Sequence, residues 1–254
     1  MPTRSNTDCM FNEQIKSFID NHGLGTFRPK AVLFDMDGVL YDSMPNHAIA
    51  WQKSMAQFGI SMTAEDAYAT EGARGIDTIR KFAKMQLHKE ISYEESQKMY
   101  DVKTEIFHGM PEAPIFDGVI RLMTLIRQSG LTIGIVTGSG QRPLIQRLLT
   151  DFGDFITAER IVTAYDVTHG KPAPDPYLMG AAKAGAKPHE CIVVENAPLG
   201  VKAGVAAGCF TIAVNSGPLP DSILSDCGAH IVLPSISRLA DIWEEITIYN
   251  NSLL

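Results

Sequence analysis

The sequence predicts an α/β fold: a parallel β-sheet core with helices on both faces and a helical insertion after the first strand. From about residue 117 onward, short apolar runs alternate with segments of helical periodicity, which is the pattern of consecutive βα units. The apolar run AVLF at residues 31–34 is continuous, as in a strand buried on both faces of a parallel sheet. Residues 45–115 contain no comparable run, so we expect this segment to be helical and inserted between the first two strands.

The N-terminal part of the chain predicts one helix before the first strand. Ile15, Phe18 and Ile19 lie at helical spacing, and the following segment GLGTFRPK breaks the pattern, so we expect a helix over residues 11–22. We interpret residues 1–29 as an N-terminal helical extension of the core.

The remaining elements follow from the same two periodicities. Val119, Leu122 and Ile126 place apolar side chains on one helical face, and Gly130 ends that helix. Helices are predicted at 45–59, 64–70, 119–126, 144–152 and 176–184. Strands after the first are predicted at 131–136, 161–164, 191–195, 210–214 and 231–233.

The composition is that of a globular protein and argues against several partners. The 254 residues carry a formal net charge of −7, with 45% hydrophobic and 20% charged residues. Because binders of nucleic acid or anionic membrane present a basic surface, we expect neither partner. The four cysteines form no metal or disulfide pattern, and the sequence shows neither a signal segment nor an apolar run approaching the ~18 residues of a membrane span. We therefore expect a cytoplasmic protein, and a monomer.

Polar side chains follow the apolar runs at the points where the strands end. Asp35 and Asp37 follow the first run, Thr137 the second, and Glu195 with Asn196 the fourth. Because ligands of parallel sheets bind at the carboxyl ends of the strands, we expect these residues to lie close together. Two carboxylates at one cleft suit a divalent cation, and the oxygens of Glu195 and Asn196 are further hard donors for it.

Two loops carry groups that suit a phosphate. The hydroxyls and backbone N–H groups of residues 137–139 precede a helix, and Lys171 lies in the proline-stiffened loop GKPAPD. Each motif also has an ordinary interpretation: DMDG as a capped turn, TGSG as a flexible turn with an N-cap, and Lys171 as a solvated side chain. DMDG lacks the additional acidic residues of a calcium loop.

Taken in order, FDMDGV, TGS, GKPAPD and VVENAPLGV resemble the four motifs of the haloacid dehalogenase superfamily of phosphoryl-transfer enzymes. The string DMDGVLYDS, followed by His47 and Trp51, resembles the β-phosphoglucomutase-like group, which includes sugar-phosphate mutases and small phosphatases. The resemblance implies a Rossmann-like catalytic core of residues 30–44 and 116–254, with an all-helical cap over residues 45–115.

The resemblance also implies roles for the strand-end residues. Asp35 is expected to be the nucleophile that forms an aspartyl-phosphate, and Asp37 the general acid/base. Thr137 and Lys171 are expected to bind the transferring phosphoryl group. The ligands expected for Mg2+, the implied cofactor, are Asp35, the backbone carbonyl of Asp37, Glu195 and Asn196. Because Asp37 must be protonated when it donates to the leaving oxygen, we expect burial under the closed cap to raise its pKa.

The substrate-binding residues implied by the resemblance lie at the hinge, in the cap and after the second strand. Arg74 is a candidate clamp for a distal phosphate. His47 has an equally good structural interpretation as a half-buried residue bonded to a backbone carbonyl, and Arg74 and Lys103 as surface charges. The full set of candidates is Ser43, His47, Arg74, Lys103, Gly138, Ser139, Gln141 and Arg142.

This chain departs from the family pattern at two places in the site. The fourth motif often ends in a second carboxylate where this chain has Asn196, which predicts weaker Mg2+ binding. Gly140 and Gln141 stand where the mutase has a lysine and an asparagine that hold a second phosphate, although Arg142 offers a replacement cation.

The expected function is Mg2+-dependent phosphoryl transfer on a small sugar phosphate through an aspartyl-phosphate, as in the β-phosphoglucomutase-like enzymes. A phosphatase of the same family is the first alternative, favoured by Gly140, and a non-catalytic phosphometabolite sensor the second. Dehalogenation is disfavoured because it needs neither a proton donor at Asp37 nor a metal site.

Overall fold

The core of the computed structural model, which describes residues 11–140 and 142–248, is a six-stranded sheet with the strand order β3-β2-β1-β4-β5-β6. Every pair of neighbouring strands is parallel. The strands are β1 (Ala31–Phe34), β2 (Thr132–Val136), β3 (Ile161–Val162), β4 (Cys191–Glu195), β5 (Phe210–Val214) and β6 (Ile231–Leu233). The α/β class and all six predicted strands are confirmed.

Helices surround the sheet and fill the insertion between β1 and β2. Those up to β2 are α1 (Asn12–Asn21), α2 (Met44–Ala56), α3 (Ala64–Ala69), α4 (Gly75–Leu87), α5 (Tyr93–His108) and α6 (Val119–Gln128). Those after β2 are α7 (Arg142–Phe152), α8 (Asp175–Lys183), α9 (Pro198–Ala206), α10 (Asp221–Asp226), α11 (Ile236–Asp241) and α12 (Trp243–Ile248). Within these ranges, no helix is long and apolar enough to cross a membrane.

The edge strand β3 is shorter than predicted. The apolar run was expected to extend from 161 to 164, but the strand ends at Val162. Asp166 accepts hydrogen bonds from both the backbone N–H and the hydroxyl of Thr163, at 2.8 and 2.7 Å. Since such local side-chain bonds compete with a strand ladder, the turn at Thr163 ends β3 two residues early.

The sheet is covered on both faces, as the sequence predicts. One face packs Val32 and Phe34 into a large cluster with side chains of α6, α7 and α11. The alternate residues Ala31 and Leu33 face a second cluster that includes Tyr177 of α8. Alternation along a single apolar strand therefore supplies both faces with core side chains.

The inserted helices α2–α5 have a hydrophobic cluster of their own, built around Trp51, Met55, Ile79 and Phe82. Two of these helices begin at capping boxes, at Thr63 for α3 and at Ser92 for α5. The predicted division into an extension, a core and a cap stays a prediction, and its first ten residues lie outside the described part of the chain.

Helix α1, within the predicted extension, packs against the core sheet. Phe18 is fully buried and meets the rings of Phe27 and Phe210 edge-on, with centroids 5.4 and 5.3 Å away. The aromatic contacts anchor α1 to β5 and position the chain for its entry into β1.

The strand register brings the predicted site residues to one edge of the sheet. Phe34 is paired with Ile135 of β2 and with Val194 of β4. Asp35, which follows Phe34, and Glu195, which follows Val194, therefore lie at the same level along the strands, at the carboxyl edge of the sheet.

Candidate active site

Lys171 joins the two carboxylates at the ends of β1 and β4. Its Nζ donates to Asp35 Oδ1 at 2.5 Å, to Glu195 Oε1 at 2.7 Å and to the Val136 carbonyl at 3.1 Å. Tyr177 donates its hydroxyl hydrogen to the same Glu195 oxygen at 2.7 Å. All four side chains are buried, so Lys171 is a charge of the site and not a solvated surface lysine.

The electrostatics of this cluster are those of two carboxylates that share one cation. Burial disfavours the charged form of Asp35 and raises its pKa well above the ordinary value, against the opposing charge of Lys171. Burial alone would lower the pKa of Lys171, but Asp35 and Glu195 more than offset it, and the pKa of Lys171 rises above its ordinary value. Lys171 is therefore charged, and its positive charge offsets negative charge on the two carboxyl groups.

Two oxygens at this edge fit the Mg2+ ion that the resemblance implies. Asp35 Oδ2 and Asn196 Oδ1 are buried without a hydrogen-bond partner among the described residues. Such atoms are costly unless a ligand satisfies them, and carboxylate and amide oxygens are hard donors suited to Mg2+. Asn196 packs against Gly38, whose φ of +80° and missing Cβ leave room for the amide. The donor chemistry therefore fits the ion.

In the described ranges, no three His, Cys, Asp or Glu side chains lie together in metal-binding geometry. The implied ligand set contains only two carboxylate side chains, of Asp35 and Glu195, because its other members are the Asn196 amide and the Asp37 backbone carbonyl. The two findings are compatible, and the ligand assignment stays a prediction.

Asp37 belongs to a buried chain of hydrogen bonds that reaches into the inserted helices. The Ser43 hydroxyl donates to Asp37 Oδ1 at 2.6 Å, and His47 Nε2 lies 3.1 Å from the same oxygen. Lys103 Nζ lies 2.7 Å from His47 Nδ1. Because an ammonium group can only donate, Nδ1 accepts and the imidazole carries its proton on Nε2, where it donates to Asp37. His47 thus contacts Asp37 and Lys103 instead of a backbone carbonyl.

The expected rise in the pKa of Asp37 is wrong. Burial does raise the pKa, but the electrostatic effect of His47, the hydrogen bonds from His47 and Ser43 and the charge of Lys103 outweigh it, and the net pKa of Asp37 is lowered. Desolvation is only one contribution to this pKa, and the donors at Ser43 and in the inserted helices outweigh it. Burial also lowers the pKa of Lys103, to about 8, although Glu71 and Asp37 oppose that shift.

The loop after β2 lies beside these groups. Thr137 is buried, and its hydroxyl oxygen accepts a hydrogen bond from the Ser139 backbone N–H at 3.0 Å. Arg142, the first residue of α7, is exposed. Gln141, the remaining candidate of this loop, lies outside the described residues.

Arg74 connects the insertion to the core. Its Nε donates to Asp77 at 2.8 Å, and one Nη donates to the Thr168 backbone carbonyl at 2.9 Å. Its proposed role as a phosphate clamp stays a prediction, and in this conformation these donors are engaged by protein oxygens.

A loop of the insertion closes over the strand ends. Gly72, with φ +83°, lies so near the core that a Cβ there would be 3.0 Å from Lys171 Cδ. A Cβ on Gly138 would lie 2.9 Å from the Gly72 carbonyl oxygen. A cavity of about 40 Å³ remains beneath the loop, lined by Asp37, His47 and Lys103 among others. Site residues of core and insertion thus line one small cavity.

The sequence reasoning missed Glu71, which lines the same cavity. Its signal in the sequence was only an acidic residue before a glycine in an otherwise ordinary loop. A lone glutamate of this kind is usually solvated, so the loop geometry alone identifies it.

The comparisons with known proteins agree with the geometry. Residues 29–208 match the family described as haloacid dehalogenase-like hydrolase. Hexitol phosphatase A of Escherichia coli is 37% identical over 189 residues, which cover 74% of this chain and 84% of that protein. β-Phosphoglucomutase of Bacillus subtilis is 29% identical over 197 residues, with coverage of 74% and 84%.

A solved structure has nearly the same fold over most of the chain. It is a candidate β-phosphoglucomutase from Bacteroides vulgatus, with a TM-score of 0.91 and 45% sequence identity, and the match covers 96% of this chain and 99% of that one. The chain belongs to the haloacid dehalogenase-like hydrolase family. The predicted family and its enzymatic class, phosphatase or mutase, are confirmed.

Proposed function

We propose that this enzyme hydrolyses the phosphate ester of a small sugar or sugar alcohol through an aspartyl-phosphate at Asp35, with Mg2+ as its cofactor. The observation that carries the proposal is the buried Asp35–Lys171–Glu195 cluster beside Asp37, at the carboxyl edge of the sheet. Among the relatives, support comes from the phosphatase of Escherichia coli that is named hexitol phosphatase A.

Asp35 is suited to attack phosphorus. Lys171 binds one carboxylate oxygen and holds the side chain in place, while Oδ2 has no hydrogen-bond partner in the described part of the chain. Attack on a phosphate ester brings two anions together, so cations must offset the repulsion. Lys171 supplies one positive charge, and Mg2+ bound by Asp35, the Asp37 carbonyl, Glu195 and Asn196 would supply Lewis-acid stabilisation of the phosphoryl oxygens.

Asp37 is the candidate proton-transfer group, and because its pKa is lowered it must take up a proton before it can act as the acid of the first step. In the first step the Asp35 oxygen forms a bond to phosphorus, the ester P–O bond breaks, and the leaving oxygen takes a proton from Asp37. In the second step a water transfers its proton to Asp37 as its oxygen attacks phosphorus, and the bond between Asp35 and phosphorus breaks. Ser43 and His47 both bond to Oδ1 of Asp37, which orients the carboxylate and leaves Oδ2 for this exchange.

The contacts of the basic residues favour water over a sugar hydroxyl as the acceptor. A mutase must hold two phosphates at once, and Lys103 and Arg74 were its candidate binding residues. Lys103 donates to His47 and Arg74 to Asp77 and Thr168. The Tyr165 ring covers Gly140, where a mutase would have its lysine. These contacts leave a second phosphate few donors.

A mutase remains the second candidate because of the 45% identity with the Bacteroides vulgatus protein. 31P NMR distinguishes the two with purified protein, Mg2+ and either glucitol 6-phosphate or β-glucose 1-phosphate with a trace of glucose 1,6-bisphosphate. We expect inorganic phosphate to appear, and none with Asp35→Asn. Glucose 6-phosphate without inorganic phosphate would establish the mutase instead, and no conversion of any ester would favour a sensor.

A further inference from the structure

We propose that Glu71 sets the substrate specificity of this site by excluding esters that carry a second anionic group, so that the enzyme takes monophosphates of neutral sugars or sugar alcohols. The inference rests on the proposed function and narrows its substrate class. It also gives a physical reason why a bisphosphate, the intermediate of a mutase, would bind poorly.

The backbone fixes Glu71 over the site. Helix α3 ends at Ala69, and the loop that follows turns at Gly72, whose positive φ few other residues adopt. The Gly72 carbonyl lies against Gly138, and the Gly72 backbone approaches Lys171. Because Gly72, the next residue, is held so closely to the core, Glu71 lies in the cavity with Asp37 and Lys103 in this structure.

The charges around this cavity leave a second anion without enough cations. The described side chains around the cavity include four carboxyl groups, of Asp35, Asp37, Glu71 and Glu195, but only two ammonium groups, of Lys103 and Lys171. Burial raises the pKa of Glu71, so negative charge at this position is already disfavoured. The proposed divalent cation would favour the ionised carboxylates, and a second anion on the ester would then face Glu71 at close range with few cations left to offset the repulsion.

A neutral polyol would be attracted to Glu71 instead of repelled. The carboxylate oxygens of Glu71 accept hydrogen bonds, and sugar hydroxyl groups donate them. The same side chain therefore attracts a neutral substrate and repels an anionic one, which is how specificity is commonly obtained.

The competing explanation is that Glu71 only keeps Lys103 charged. The charge of Glu71 raises the pKa of Lys103, so it does contribute in that way. Loss of that effect alone would weaken turnover of all substrates by the same factor. The ratio between substrate classes separates the two explanations.

The test compares Glu71→Gln with the native enzyme on four esters. Glucitol 6-phosphate and glucose 6-phosphate have neutral remainders, whereas fructose 1,6-bisphosphate and 6-phosphogluconate carry a second anion. We expect the ratio of kcat/KM for anionic over neutral esters to rise about 10-fold in Glu71→Gln, as removal of one close repulsive charge implies. The matched control is Glu65→Gln, an exposed carboxylate in α3, which should leave the ratio unchanged.

Binding provides a readout independent of turnover. Calorimetry of glucitol 6-phosphate and fructose 1,6-bisphosphate, with the Asp35→Asn protein and with Asp35→Asn/Glu71→Gln, should give the same shift in ratio. An unchanged ratio in both experiments overturns the role of Glu71. Failure of the native enzyme to release phosphate from any ester would instead refute the proposed hydrolysis, while the binding ratio would still decide the inference.

Discussion

Gly138→Ala should hold the loop of the insertion away from the core without disturbing the core itself. A Cβ at this position would lie 2.9 Å from the Gly72 carbonyl oxygen and 3.4 Å from its carbonyl carbon, both backbone atoms that cannot rotate away. Gly138 does not have a positive φ, so the substitution adds no backbone strain of its own. The whole conflict is therefore with the closed loop.

The magnitude follows from the cost of overpacking, which is about 1–3 kcal/mol for one added carbon against well-packed atoms. At 1.36 kcal/mol per factor of ten, closure should become roughly 5- to 150-fold less favourable. We expect kcat/KM to fall within that range, while the melting temperature changes little because the core strands keep their contacts.

The assay combines steady-state phosphate release with hydrogen exchange of the ligand-free protein. Because Gly138 is also a candidate phosphate-binding residue, activity alone would not separate the two roles. Faster exchange of the amides at 70–75 without substrate would report loss of the loop contact directly. Gly25→Ala is the matched control, since a Cβ there meets nothing within 4 Å. Unchanged exchange and unchanged kcat/KM in Gly138→Ala would refute the contact between loop and core.

Three further predictions concern the proposed Mg2+ site, the pKa of Lys103 and the packing of α1. Asn196→Asp adds a carboxylate to the proposed Mg2+ site, so the Mg2+ concentration for half-maximal activity should fall. Burial lowers the pKa of Lys103 to about 8, so kcat/KM should decline as the pH rises through about 8 and Lys103 loses its charge, and Lys103→Met should lack this decline. Phe18→Ala should reduce the free energy of unfolding by about 3–5 kcal/mol in urea titrations, because the ring is fully buried between α1 and the sheet.

Each of these predictions has an outcome that contradicts it. Equal half-saturation by Mg2+ in the native protein and Asn196→Asp would remove Asn196 from the ligand set. An alkaline decline that persists in Lys103→Met would assign it to another group. For the extension, Phe18→Leu serves as the conservative control, and equal stability of Phe18→Ala and the native protein would show that α1 is not anchored by this ring.

The sequence contains enough information for the sheet and for the residues at its edge. Apolar runs such as AVLF identify the strands of a parallel sheet. Because the carboxyl ends of parallel strands lie at one edge, this pattern alone predicts that Asp35 and Glu195 are near each other. The predicted length of β3 was wrong because a local Thr163–Asp166 turn competes with the strand hydrogen bonds. The apolar character of the segment gives no information about that competition.

The contribution of the inserted helices to the site was harder to predict. The direction of the shift in the pKa of Asp37 depends on the hydrogen bonds from Ser43 and His47 and on the charge of Lys103. Lys103 is distant in sequence and approaches only when the helices pack. Glu71 has no sequence pattern that separates it from a surface carboxylate. Which residues of a helix or loop point toward the core depends on tertiary packing, and the periodicity of one segment does not predict it.

The formation of an aspartyl-phosphate at Asp35 is tested most directly by trapping it. The enzyme is quenched in acid during turnover of glucitol 6-phosphate with Mg2+, treated with borohydride, which reduces an acyl phosphate to an alcohol, and analysed by peptide mass spectrometry. We expect homoserine at position 35 in the substrate-treated enzyme, and none in the substrate-free enzyme or in Asp35→Asn. Homoserine at position 37 would contradict the mechanism. So would the absence of homoserine from position 35 when samples are quenched throughout turnover.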